Sequence, residues 1–342
     1  FNHAWFVEQP ESPPPYVKNL CADIHKDPLE LGIYARYGGS GAIPFDLMPG
    51  LGDDIWAGVH PKNPDRILND IALITAHGGR WNIGEFPTNY RTVRGEPKYR
   101  GNGRRPADIY LDLARQGAEF SRKRQPFCQY SRPVPHVALL HSASTHYDHV
   151  IRNVNGTAGS GGFGKTSDGT FRQNKAGRIN SRIYWPDNNQ MGESLVGAYQ
   201  ALLENHVHFN FTIEDRLADD LKDAALLVLP EQHRLTPESV AAITIFVRNG
   251  GRLLATGSTR RAGLDALFDF ESTSPKSVGK GKTLYPPENV FQHYAERSGY
   301  SPKPRGNAAE LRERVARTFE TLLPADPYLF DAPPWFEWAL RR

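Results

Sequence analysis

Apolar positions recur along the chain at two different spacings. In "PDRILNDIALITAHGG", Ile67, Leu68, Ile71 and Ile74 follow helical spacing, Pro64 and Asp65 mark a start, and Gly78 closes the run. "PADIYLDLARQGAEFSRKRQ" predicts a second helix. Short apolar runs around them predict strands: "HAWFV" at the N-terminus, a segment near Ile43 to Met48, and Arg80 to Gly84 in "RWNIGEF". A proline-rich loop, "ESPPPYV", follows the first strand. The order is β, loop, β, loop, α, β, loop, α. That is the rhythm of a βα-repeat protein, whose function sits in the loops after strand C-termini. The elements suffice for only the last third of a barrel.

A second pattern begins at "HVALLHSAS", a continuous apolar run of the kind found in a buried parallel strand. It continues with a helix ("ESLVGAYQALLENHV"), a strand ("HFNFTIED") and a strand that ends sharply at Pro230 ("DAALLVLPEQ"). "TPESVAAITIFVRNGG" predicts a helix with Thr236 as N-cap, Pro237 at its first position, Glu238 in its first turn and a Gly-Gly stop. "RLLATGS" predicts a fourth strand. This succession predicts an open, doubly wound sheet. The polar, Gly-rich run from Asn155 to Ser181 reads as a long loop. From residue 263 onward the pattern weakens. One clear helix, "NAAELRERVARTFETLL", leads to "APPWFEWALRR", which alternates like the first strand of a further β-domain.

A length of 342 residues suits two or three domains. With 39% hydrophobic and 23% charged residues the chain reads as a soluble globular protein, and no apolar stretch is long enough to span a membrane. A net charge of +3 argues against a nucleic-acid binder. Two cysteines, Cys21 and Cys128, make neither a disulfide framework nor a Cys-rich zinc site. The chain opens on Phe1 with no basic-then-apolar leader, so either a leader was removed or this is a piece of a longer protein. Aromatic residues, 11% of the chain, suit the apolar faces of sugar rings, although they also fill cores.

Several motifs carry candidate chemistry. Gly159, Gly164, Lys165 and Thr166 fit the phosphate-cradling pattern G-x-x-x-x-G-K-[ST], but neither a buried strand before it nor an apolar helix after it supports the match. The turn after "LLVLP" is where an amidotransferase-like domain carries its nucleophile; here it reads Glu231, Gln232, His233, with nothing to activate. His141, His146 and His149 lack a fixed ligand spacing and read as a polar loop rather than a metal site. The sequons at Asn155 and Asn210 read as chance, and the clusters "KYRGNGRR" and "SRKRQ" as solvated charge. What remains are the carboxylates at strand ends of the first region: Glu8, Asp46, Asp53, Asp54 and Glu85, with Trp5, Trp56 and Trp81 nearby. Glycoside hydrolysis needs two carboxyl groups across a sugar and aromatic walls that orient the ring.

At this point the chain resembles a family. "IYARYGGSGAIPFDLMPGLGDDIW" followed by "LNDIALITAHGGRWNIGEFPT" resembles the last strands of the catalytic barrel in bacterial glycoside hydrolases related to the family 42 β-galactosidases, in particular the α-L-fucosidase-like family 151. "KRQPFCQYSRPVPHVALLHSAS" is similar to their link into the middle domain. "LLVLPEQHRLTPESVAAITIFVRNGGRLLATGST" resembles the flavodoxin-like β-galactosidase trimerisation domain, which has lost amidotransferase chemistry, and "APPWFEWALRR" the start of a C-terminal β-sandwich.

The resemblance implies an α/β chain. Residues 1–130 would form the C-terminal part of a (β/α)8 TIM barrel. Residues 131–265 would form a doubly wound, flavodoxin-like (class I amidotransferase-like) domain, and 266–342 a linker, a helix and the first strand of a β-domain. It implies a retaining exo-glycosidase of the bacterial cytoplasm or periplasm, acting on terminal fucosyl or galactosyl residues. That enzyme needs no cofactor or metal, binds neither nucleic acid nor membrane, and forms a homo-oligomer such as a trimer. Glu8 would be the general acid/base, with Asp46, Asp53, Trp56, Trp81, Asn82 and Glu85 around the sugar. The nucleophile would lie in the first half of the barrel, outside this sequence. The alternative is a non-catalytic carbohydrate-binding or assembly protein built on the same domains.

Overall fold

The computed structural model describes residues 2–4, 7, 9–24, 28–50, 63–82, 92–93, 96–97, 108–148, 190–297, 308–323, 332–333 and 336–342. The chain divides into two compact units, one of Phe1–Val7, Pro13–Val134 and Trp338–Arg342, the other of Glu8–Ser12 and Pro135–Glu337. The architecture is mixed α/β with parallel-strand sheets. Among the described residues no helix is long and apolar enough to cross a membrane.

In the first unit, β1 (Asn2–Ala4), β2 (Asn19–Ile24), β3 (Phe45–Pro49) and β4 (Arg80–Trp81) form one sheet in chain order, every neighbouring pair parallel. Helices α1 (Pro28–Ser40) and α2 (Pro64–Ala76) make the crossovers, and α3 (Asp108–Cys128) packs on α2. A two-residue antiparallel pair, β5 (Thr92–Val93) and β6 (Glu96–Pro97), precedes α3. The start of α2 is built as its sequence implies. Asn63 caps it by accepting from the Asp65 amide at 2.9 Å, Pro64 is its first residue, and Gly78 follows it with φ +81°. Ile67, Ile71 and Ile74 are wholly buried on one stripe.

Strand β2 and helix α1 escape the sequence pattern, for physical reasons. Helix α1 contains Gly32, Gly38 and Gly39, and its residues 30–39 are all buried. A helix buried on every side shows no amphipathic stripe. Strand β2 is short and follows a proline-rich loop, so its alternation of Leu20, Ala22 and Ile24 against Asn19 and Cys21 is easily missed.

The second unit contains β7 (Val137–Leu140), α4 (143–148), α5 (Gln190–Glu204), β8 (Phe209–Thr212), α6 (Leu217–Asp220), β9 (Leu226–Pro230), α7 (Pro237–Arg248) and β10 (Arg252–Thr256). It continues with β11 (Lys276–Val278), β12 (Gly281–Leu284), α8 (Val290–Arg297) and α9 (Ala308–Leu322). Its six-stranded sheet has the order β11-β12-β10-β9-β7-β8, parallel except for the β11–β12 pair. The chain runs outward from β7 to β8, then crosses to β9 and onward in the other direction. The order therefore reverses between β7 and β9, and the C-terminal strand ends open a crevice there. Strands β7 and β9 are buried at every position, as continuous apolar runs require. Thr236 caps α7 through the Ser239 amide at 3.2 Å.

Residues 266–297, read from the sequence as linker, supply β11, β12 and α8, and β12 joins the sheet beside β10. The signal is faint because the hairpin "KSVGKGKTL" is short and rich in Lys and Gly. Gly281 is required: a Cβ there would strike the carbonyl oxygens of Val247 and Gly251. The final stretch is not the strand its alternation suggests. Residues 338–342 return to the first unit through a single bridge, Pro133 to Arg341, with Arg132 and Arg342 exchanging backbone hydrogen bonds at 2.7 and 2.8 Å.

Two substitutions test these local arguments. Thr236→Ala should cost about 1 kcal/mol in urea unfolding, the worth of an N-cap side chain. Gly281→Ala should cost more, because the atoms in its way are backbone on two neighbouring segments.

Candidate functional site

Strands β2, β3 and β4 run in register, with Cys21 beside Asp46 and Asp46 beside Arg80, then Leu47 beside Trp81. The Asn82 amide continues the ladder by donating to the Leu47 carbonyl at 3.1 Å. Side chains alternate. Leu20, Ala22, Ile24, Phe45 and Leu47 are buried, whereas Cys21, Asp46, Met48 and Asn82 are half-buried or exposed. One face of this all-parallel sheet is thus packed, and the other carries polar groups.

The described candidates fall at different places on this frame. Asp46 lies near the N-terminal ends of the strands. Its carboxylate meets Arg80 Nε at 2.7 Å and accepts from Asn19 Nδ2 at 2.6 Å, and Arg80 also donates to Asn19 Oδ1 at 2.5 Å. Asn19 and Arg80 are the first residues of their strands, so this network ties three strand starts together. Trp81 turns away from the polar face. It packs beside Ile67, Ile71 and Leu113, and its indole N–H donates to Ser121 Oγ at 2.8 Å. Both side chains are engaged by the fold, Asp46 beside the strand starts and Trp81, the last residue of β4, on the packed face. Asn82 does stand at a C-terminal end, exposed. Glu8, Asp53, Trp56 and Glu85 lie outside the described residues, as do His149, Asn155 and the Gly159–Thr166 motif. Asp23, which the sequence reading passed over, takes the register position beside Met48 near the end of β2.

The C-terminal strand ends of the second sheet carry polar side chains that bond one another. Glu231 follows β9 with φ +56°, in the left-handed region that a non-glycine residue rarely adopts. Its buried carboxylate accepts from Ser194 Oγ at 2.6 Å and Asn289 Nδ2 at 2.9 Å. Beside it His233 Nε2 lies 2.7 Å from Asp148 Oδ2, and Arg234 bonds the other oxygen at 3.1 Å. Sequence reasoning missed this pair because Asp148 and His233 are 85 residues apart. Among the described residues no hydroxyl or thiol bonds His233. Cys21 and Cys128 are in no disulfide, and burial pushes the Cys128 thiol up, which keeps it protonated. His141 and His146 meet edge to face at 5.7 Å, and no described cluster of His, Cys, Asp and Glu could hold a metal ion.

Glu214, after β8, ties two helix starts. It accepts from the Ser144 amide at 2.9 Å, the Thr236 amide at 2.8 Å and Ser142 Oγ at 2.8 Å. Partial burial raises its pKa, but these hydrogen bonds outweigh burial and hold the carboxyl below its ordinary range.

No family model matches this sequence, and no curated protein does. Solved structures share its fold. A catalytic mutant of Gan42B, a GH42 β-galactosidase from G. stearothermophilus, is similar at a TM-score of 0.56 and 14% identity, over 94% of this chain and 51% of that one. A β-galactosidase from Bacillus circulans sp. alkalophilus is similar at 0.56 and 12%, over 89% and 50%. An exo-β-1,4-mannosidase from Opitutaceae bacterium strain TAV5 is similar at 0.50 and 10%, over 91% and 61%. The chain spans about half the length of these β-galactosidases. At such identities the likeness is one of fold.

Because the folded pKa of Glu214 is depressed, its contribution to stability is complete above the unfolded value of about 4.3 and is lost as pH falls through the folded value. Glu214→Gln should therefore lower Tm at pH 7. The gap to the unsubstituted protein should narrow as melting is repeated at increasingly acidic pH.

Proposed function

We propose that this chain belongs to a glycoside hydrolase that removes a terminal fucosyl or galactosyl residue by a two-carboxylate, retaining mechanism. The observation that carries the reading is the succession of two sheets. Four parallel strands in chain order are followed by a sheet whose order reverses, and this fold extends over nine-tenths of the chain in a solved β-galactosidase. In this reading the first unit is the C-terminal part of a (β/α)8 barrel and the second a flavodoxin-like domain that serves assembly, with a homo-oligomer such as a trimer as the working form. Two features support it. Leaving β11 aside, the order of the second sheet follows the flavodoxin-like pattern 2-1-3-4-5. The first sheet is all parallel with one face polar, which suits strands whose inner face is closed by the rest of a barrel.

Glu8 is assigned as general acid/base. It protonates the glycosidic oxygen as the bond to the anomeric carbon breaks, while a second carboxylate from a barrel strand outside this sequence attacks that carbon. Glu8 then takes a proton from water, which displaces the carboxylate and releases the sugar. Asp53, Trp56, Asn82 and Glu85, which follow β3 and β4 in the sequence, are assigned to the sugar. Two carboxyl groups and water complete this chemistry without a cofactor.

Glu8→Gln in the whole protein tests the assignment, with aryl α-L-fucoside and β-D-galactoside as substrates. Turnover should fall by about 10²- to 10⁴-fold with sugar binding retained. Unchanged turnover would remove Glu8 from the mechanism. A protein that binds the sugars and never hydrolyses them would be a carbohydrate-binding protein on the same fold.

A further inference from the structure

Among the described residues three that are not glycine have left-handed backbone: Tyr130 at φ 64°, His206 at φ 53° and Glu231 at φ 56°. The conformation is costly for any side chain, and for a bulky one it marks a position kept for a reason. For two of them the fold supplies that reason. Glu231 is held by Ser194 and Asn289, and His206 Nε2 lies 3.1 Å from the Pro333 carbonyl oxygen. Tyr130 makes no such side-chain hydrogen bond among the described residues. It lies two residues beyond α3, in the helix-terminating position that usually takes glycine, and its side chain is 84% exposed. A large aromatic side chain there leaves its ring open to a ligand.

Its surroundings have a consistent chemistry. Phe127 is 77% exposed at the end of α3, and Phe120 and Phe127 are seven apart, on one side of the helix. Arg124 lies flat on the Phe120 ring, its guanidinium carbon 3.6 Å from the centroid, and donates to the Phe120 carbonyl at 3.3 Å. The guanidinium is thereby held in one orientation with donors left over. From 120 to 132 the chain carries Arg122, Lys123, Arg124 and Arg132 and no carboxylate. The nearest acid, Glu119, is taken by Lys123 at 2.7 Å. Exposed ring faces, an oriented planar donor and an excess of positive charge along this stretch suit a ligand with apolar ring faces and anionic groups.

We propose that the end of α3 is a surface-binding site for an anionic polysaccharide, one whose sugars carry sulfate or carboxylate groups. Tyr130 and Phe127 offer faces for sugar rings to stack on, and Arg124 bonds the anionic substituents. The choice of a glycan over other polyanions rests on the carbohydrate reading above. A nucleic-acid binder of this size would carry a larger basic excess than +3.

The experiment is affinity electrophoresis of the intact protein through gels holding dextran sulfate, polygalacturonate, neutral dextran or polyuridylate, with Tyr130→Gly and Arg124→Gln beside the unsubstituted chain. Retardation by the two acidic glycans is expected, weakened about tenfold in either variant, as loss of one stacking or cation–π contact with a desolvated ligand implies. Tyr130→Gly should melt no lower than the parent, because it relieves strain, so lost binding cannot be lost folding. Equal retardation of variant and parent overturns the proposal, as does equal retardation by neutral dextran or a preference for polyuridylate. A concentration-dependent native mass that Tyr130→Gly alone lowers would overturn it too, by assigning the patch to a second copy of this chain. Aryl-glycoside hydrolysis is followed in parallel. Retardation without hydrolysis would sink the hydrolase reading and leave the surface site standing.

Discussion

The ring of Phe45 fills space that a side chain on either of two glycines would need. A Cβ on Gly38 would come within 2.7 Å of it, and one on Gly79 would collide with it. Gly38 is in α1 and Gly79 is in the turn from α2 to β4, so α1, β3 and that turn close on one another because two residues lack side chains. The ring is almost wholly buried, worth about 1.5–3 kcal/mol on a transfer basis. The device recurs under α3, where a Cβ on Gly117 would lie 2.6 Å from Ile71 Cδ1 and 3.1 Å from Trp81. Close approach at glycine thus sets how near the helices lie to the sheet, and through it the direction in which each strand delivers its C-terminal end.

The opposite, N-terminal end of that sheet is where its described charges are committed. Asn19, Asp46 and Arg80 join three strand starts. Half of the Arg80 side chain remains exposed, so the pair adds little to net stability and more to register. Arg341 works in the same unit. Its guanidinium donates to the Ser131 carbonyl at 2.6 Å, to Ser131 Oγ at 2.7 Å and to the Gly39 carbonyl at 3.2 Å. Burial lowers its pKa, yet an arginine starts so far above neutrality that it stays charged, and the three acceptors offset its desolvation. This βα sheet is thus anchored at its strand starts.

What could be read from the sequence follows from how each element is buried. Helices α2 and α7 have one dry side, a capping side chain and a proline at the first position, and all three signals are local. Strands β7 and β9 are dry on both faces and stand out as unbroken apolar runs. Helix α1 is dry all round, and the β11–β12 hairpin takes its place from two carbonyl oxygens beside Gly281, so neither leaves a periodic trace. Asp46 and Trp81 show why the site was harder to read than the fold. Sequence marks a carboxylate or an indole near a strand, but one step along the strand moves it to the other face, and two steps move it toward the other end.

The second unit makes the complementary point. It has carboxylates at its strand ends too, and each is used by the fold. Glu214 holds the starts of α4 and α7, Glu231 joins α5 to Asn289, and Asp148 is shared by His233 and Arg234. The Glu214 carboxylate, with three fixed donors, is a poor base, because protonating it sacrifices those bonds. The Glu231 side chain works as a staple, and the hydrogen bonds it accepts hold a backbone at φ +56°. The described carboxylates that follow the strands of this sheet are thus joints between its own helices and turns.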